Sequence, residues 1–227
     1  MKELLNHIQF HDNHYEVLLP WKEGQFYLPN HYFISSNHLR YLQHKLLRDP
    51  DLHSEYNRII QEQLQKGIIK QVDSPIPGPL VKCIINERVE SAHYLPHHAV
   101  THCEPATTII HIVYDGSAKL SDSDLSLNDC FQAGPNLIPK LFHVLVQFRS
   151  HPVAITTDIE KAFLMIGIFP ADHYMLRFLW FQDPNKLDSP ICQFRFTRVV
   201  FGLIPSPAIL GDTILHHLDK YNSEQPS

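Results

Sequence analysis

A change of period near Gly67 narrows the fold more than any other feature of this sequence. Before it, apolar residues recur every three or four positions, first as Leu39, Leu42 and Leu46, then as Tyr56, Ile59, Ile60 and Leu64. That spacing gives each segment one apolar helix face. The first helix is predicted to start at Asn37, whose side chain can cap it, and to stop before Pro50. The second is predicted from about Ser54 to Gly67, a residue suited to the left-handed position that ends a helix. From Ile68 to Tyr114 the chain turns to short β-rich runs, punctuated by "SPIPGP" and "YLPHHAV".

The second half mixes both patterns. Residues 15–33 read as extended, "TTIIHIVYD" as a buried strand, and 138–149 as a helix with Leu141, Val144, Leu145 and Phe148 at helical spacing. In "PVAITTDI", strand alternation puts Val153, Ile155 and Ile159 on one face, with Ala154, Thr156 and Asp158 on the other. A strand pair is expected around "MLRFLWF" and "CQFRFTRVV". A last helix is expected over 206–218, with Ser206 as its cap and Pro207 at its first position. Helices with antiparallel strands define an α+β fold, in which the Asp158 strand pairs with antiparallel neighbours and packs the 138–149 and 206–218 helices.

Composition excludes several classes. With 44% hydrophobic and 19% charged residues the chain is globular rather than disordered. Its formal net charge of -5 gives no general attraction for nucleic acid, so a polyanion partner must meet a local basic patch. No apolar run approaches a membrane span and the N-terminus lacks a signal-peptide core, which predicts no membrane partner and an intracellular protein, cytoplasmic or nuclear. The four cysteines, Cys83, Cys103, Cys130 and Cys192, form no CxxC pair and read as free thiols.

Asp158 ends an apolar strand in "AITTDIEKAFLMI", and about forty residues later stands "RFTRVVFGLIPSPAIL". The two stretches have the forms Asp-x-x-x-Ala-aromatic and Phe-Gly-Leu-x-x-Ser-Pro, and they resemble the paired motifs of a reverse transcriptase palm. The likeness extends through "YLPHHAV", "IVYDGSAK", "LNDCFQAGPNLIPKL" and "MLRFLWF", from about Tyr15 to about Leu218. As a set, these motifs resemble the polymerase of BEL/Pao-type LTR retrotransposons.

The resemblance implies a truncated polymerase right-hand fold, with fingers and a partial palm. Residues 1–50 would be an N-terminal extended segment and short helix, 51–150 the fingers and start of the palm, and 151–227 the palm core, cut before the Tyr-x-Asp-Asp motif. It implies an RNA or DNA template-primer and deoxynucleoside triphosphates as partners, and two magnesium ions as cofactors in the complete enzyme. Polymerases use two such ions, held by carboxylates, to stabilise the attacking and leaving oxygens. Asp158 would be the catalytic, metal-binding aspartate, with the Ile159 carbonyl a further ligand. Lys161, Ala162, Phe163, His111, Phe201 and Gly202 would bind the nucleotide, Phe163 crowding the sugar 2′ carbon. Arg195, Arg198 and Pro207 would meet nucleic acid.

The sequence also departs from that family. No Asp-Asp pair occurs in the 227 residues, and Asp212 and Asp219 read as solvated positions on or after the last helix. His111 stands where the family has an arginine, and a mostly neutral imidazole grips phosphate less well. Val200 replaces a proline. The expected product is a fragment without polymerase activity of its own. Two other readings stand beside it: a non-catalytic nucleic-acid-binding or scaffold remnant, and a zinc module built from His93, His97, His98, His102 and Cys103. A strand at that point would splay those side chains onto both faces.

Overall fold

The computed structural model describes residues 8–73, 80–84, 92–103 and 108–224; "SPIPGP" and the first seven residues lie outside them. Strands β1 (Gln9–His11) and β2 (His14–Val17) form a hairpin across Asp12 and Asn13, whose φ angles are 45° and 63°. Two residues at positive φ make the turn whose twist matches a strand pair, and Asp and Asn tolerate it. After β3 (Gln25–Pro29), helix α1 runs Tyr32–Arg48 and buries Leu39, Leu42 and Leu46 as the periodicity requires. Each such leucine stabilises by about 1.5–3 kcal/mol.

Both early helices start sooner than their apolar stripes suggest. For α1, the Asn30 side chain accepts the Tyr32 N–H at 3.0 Å, so the orphan donor is met ahead of Asn37. For α2 (Pro50–Gln65), the Asp49 carboxylate accepts the Leu52 N–H at 2.9 Å and Pro50 takes the first turn. Gly67, at φ 67°, ends α2 as expected.

The chain continues through β4 (Ile69–Val72), β5 (Leu80–Ile84), β6 (His97–Cys103) and β7 (Thr108–Tyr114). It then forms α3 (Leu141–Arg149), β8 (Gly167–Ile168), β9 (Arg177–Phe181), β10 (Ile191–Phe196) and α4 (Ser206–Glu224). The sheets are small: β1-β2-β8, β4-β10-β9, β3-β5 and β6-β7. All pairings are antiparallel except β2 with β8. The fold is α+β, and strand pairing crosses both residue 50 and residue 150, since β3 joins β5 and β4 joins β10. No described helix is long and apolar enough to cross a membrane.

An aromatic cluster holds the layers together. The Tyr56 ring of α2 stacks on Trp180 of β9 at 4.8 Å, and His97, Tyr114, Phe178 and Phe196 close around them. His97 Nε2–H donates to the Leu179 carbonyl at 2.9 Å, which fixes the tautomer, and Nδ1 accepts from the Tyr56 hydroxyl.

Two expectations fail here. No strand forms over 153–159, and α3 buries no residue. The alternation in "PVAITTDI" is real, but a strand exists only by pairing its backbone, and among the described residues no strand pairs with it. Ile155 is consequently 86% exposed and Val153 75%. Phe142, Leu145 and Phe148 of α3 are exposed with them. A third expectation is only partly met: over 110–114 of β7 only Tyr114 is buried, and His111 is exposed.

Candidate functional site

Three loops meet at one corner of the molecule, and a single amide ties two of them. Asn128 lies in a short 3-10 turn, Asn128–Cys130, and is buried. Its Nδ2 donates to Ser117 Oγ at 2.8 Å and to the Gly202 carbonyl at 3.0 Å, while its Oδ1 accepts the Ile204 N–H at 2.9 Å. Its own N–H donates to the Gly116 carbonyl. The "DGSAK" loop and the "FGLIPS" loop are thereby locked to each other. Gly202 has φ 110°, and a Cβ there would lie 2.1 Å from the Tyr114 carbonyl oxygen, so only glycine fits where this loop crosses the end of β7.

The third loop carries the first motif. Lys161 sits at φ 52° and precedes the 3-10 turn Ala162–Met165. Its Nζ reaches Glu62 Oε1 on α2 at 2.6 Å, the same oxygen that Lys66 holds at 2.6 Å. The hydrogen bonds from Lys161 and then Lys66 hold the Glu62 carboxyl down to about 2. Phe163 packs one side on the core, and its ring lies 6.0 Å from that of Phe201, which is 65% exposed. The two motifs named from sequence are thus brought together through their aromatic residues. Asp158 and Ile159 lie exposed in the extended segment leading into the turn. His111 is exposed on β7, opposite Val100 of β6.

The remaining sequence-predicted residues have contacts elsewhere. Arg195 belongs to β10 and lies over the Tyr174 ring at 5.6 Å. Arg198 is half-buried beside Gly167, where a Cβ would meet Arg198, Glu16 and His14 within 3 Å; burial lowers its pKa. Pro207 is exposed in the first turn of α4, and the Ser206 hydroxyl donates to the Val200 carbonyl at 2.8 Å. Asp212 is not solvated: it is buried on α4, its Oδ2 has no hydrogen-bond partner, and burial raises its pKa. Its spacing from Ala208 and Ile209, on the buried stripe, was the available signal. Asn128 and the Lys161–Glu62 pair had no comparable signal, because each acts on residues far along the chain.

The donor sets available for a metal are small. Asp158 offers one exposed carboxylate beside the Ile159 carbonyl, and neighbouring Glu160 points toward Lys161 at 3.8 Å. Among the described residues no three His, Cys, Asp or Glu side chains gather into a metal-holding group. His93 and His97 are buried and bonded to backbone, and burial holds them down to about 3 and about 4. His98 is exposed on β6, and the side chains of His102 and Cys103 lie outside the described residues. Cys192 is a free thiol, and the buried Cys130 thiol donates to the Ser126 carbonyl at 3.5 Å. No family model matches the chain, and no curated protein matches it.

Proposed function

We propose that this chain is the fingers and partial palm of an intracellular RNA-directed DNA polymerase of the retrotransposon type. The observation that carries the reading is the meeting of Phe163 and Phe201, with rings 6.0 Å apart, beside the left-handed Lys161 and the close-approach Gly202. An aromatic pair, Phe201 exposed and Phe163 half-buried, beside a lysine suits a nucleoside triphosphate, whose base stacks and whose phosphates seek charge. Phe163 would bar a 2′-hydroxyl. Lys161, released from Glu62, would meet phosphate. Phe163→Ala is therefore expected to bring ribonucleotide affinity toward that for deoxynucleotides.

Asp158 fits one ligand of a magnesium site, not a two-ion site, because magnesium takes six oxygens in octahedral geometry and two ions need several carboxylates. A complete site needs further carboxylates. The exposed apolar side chains of segment 153–159, which leads to Asp158, offer a surface on which strands carrying them would pack. The single carboxylate favours one second reading, a nucleic-acid-binding remnant without turnover. Both readings predict no magnesium-dependent, templated primer extension by residues 1–227. Extension that is abolished by Asp158→Asn would overturn both.

A further inference from the structure

Three cations stand side by side across the β4-β10-β9 sheet. The register pairs Arg195 with Lys70 on one side and with Arg177 on the other, so the three side chains leave one sheet face in a single row. Directly opposed residues in antiparallel strands have Cβ atoms about 4.5–5.5 Å apart, and like charges there are destabilising. Lys70 is exposed at the edge, Arg195 is half-buried, and Arg177 is buried beneath the segment around Tyr94, which bridges to it. Arg177 and Arg195 both lie over the Tyr174 ring, at 5.1 and 5.6 Å. Arg177 also donates to Gln193 Oε1 at 3.0 Å.

Among the described residues no carboxylate pairs with Lys70 or Arg195, and the Arg195 Nε is buried without a hydrogen-bond partner. The nearby His173 feels the row: burial lowers its pKa first, and Arg195 and Lys70 lower it further against the opposing Asp172. Lys70 and Arg195, set directly opposite one another, keep their repulsion unless an anion relieves it.

We infer that the Lys70–Arg195 end of this row is a binding site for the phosphodiester backbone of a single nucleic-acid strand. The choice of nucleic acid as the polyanion rests on the polymerase reading, whereas the row itself does not. Lys70 would contact phosphate as an exposed point charge. The Arg195 guanidinium is held over Tyr174 and would present its donors to a neighbouring phosphate in a fixed plane. This separates Arg195 from Arg198, whose side chain lies against Gly167, Glu16 and His14.

The test is fluorescence anisotropy with a labelled single-stranded RNA, and separately DNA, titrated with residues 1–227 at several salt concentrations. Wild type is expected to bind weakly, with affinity falling as salt rises. Lys70→Gln and Arg195→Gln should each weaken binding several-fold and reduce the salt slope by about 0.7, the value for one lost phosphate contact on a single strand. Lys186→Gln, at an exposed lysine outside the row, should change neither quantity. If Arg195→Gln fails to fold, Lys70→Gln and Lys70→Glu at the exposed edge carry the test. Wild-type affinity and slope in the Lys70 variants would overturn the site, as would the absence of any nucleic-acid binding at low salt. Equal binding of poly-glutamate at the same residues would overturn the nucleic-acid assignment. None of these outcomes bears on nucleotide binding at Phe163 and Phe201, which stands or falls separately.

Discussion

Asn128 is buried with both ends of its amide engaged, so removing it leaves the Gly202 carbonyl and the Ile204 N–H unpaired. An unsatisfied group costs about 1–3 kcal/mol when fully buried, and these two are part-buried, so Asn128→Ala should lower stability to urea by about 1–3 kcal/mol. Gly202→Ala should cost at least as much, since its Cβ would overlap the Tyr114 carbonyl at 2.1 Å and φ is 110°. Urea midpoints within error of wild type for both variants would contradict the lock. At this scale the sequence was unevenly readable. Gly202 declared itself through its motif. Nothing around Asn128 in "SLNDC" says that its amide will be buried, because its partners lie 11 and 74 residues away. Asp212 was misread as solvated although helical spacing set it on a buried stripe.

Elements whose partners lie within the described residues were legible, and α3 forms where its periodicity placed it but buries nothing. The leucine stripe of α1 and the Tyr56 and Ile60 face of α2 found the core that their periodicity demanded. Their starts were missed because capping by Asn30 and Asp49 outweighs the first apolar position. The 153–159 segment has the alternation of a strand but, among the described residues, no strand to pair with, which local sequence cannot report. It and α3 each leave exposed apolar faces. Such faces drive association, so residues 1–227 should self-associate in sedimentation runs at roughly 100 µM. Ile155→Glu and Phe142→Glu should return the chain to monomer with little change in melting temperature, since both side chains are exposed. A wild-type monomer at that concentration would contradict this.

The whole molecule should lose stability in mild acid. In the folded chain burial holds His93 down to about 3 and His97 to about 4, against an ordinary value of 6.5. Above 6.5 both states are neutral and this contribution is fully present. As pH falls below 6.5 the unfolded chain takes protons that the folded chain refuses, and each histidine withdraws up to about 1.4 kcal/mol per pH unit, until pH nears its folded value. The lowered Glu62 and Asp129 act only at lower pH, in and below the ordinary carboxylate range. The raised Asp212 carboxyl works in the opposite direction as pH falls, so across pH 5 to 6.5 the difference from His97→Gln reports the histidine's share. Melting temperature should therefore fall across that window, and less steeply in His97→Gln; a flat profile would contradict the buried, neutral rings.

The polymerase reading makes a demand of the same molecule that can be tested without turnover. In an amide NMR titration of residues 1–227 with a deoxynucleoside triphosphate and magnesium, saturable shifts should gather at Asp158 to Phe163 and at Phe201 to Leu203. Phe201→Ala should weaken them. Shifts centred elsewhere, or none at millimolar nucleotide, would contradict the claim that this corner holds a nucleotide.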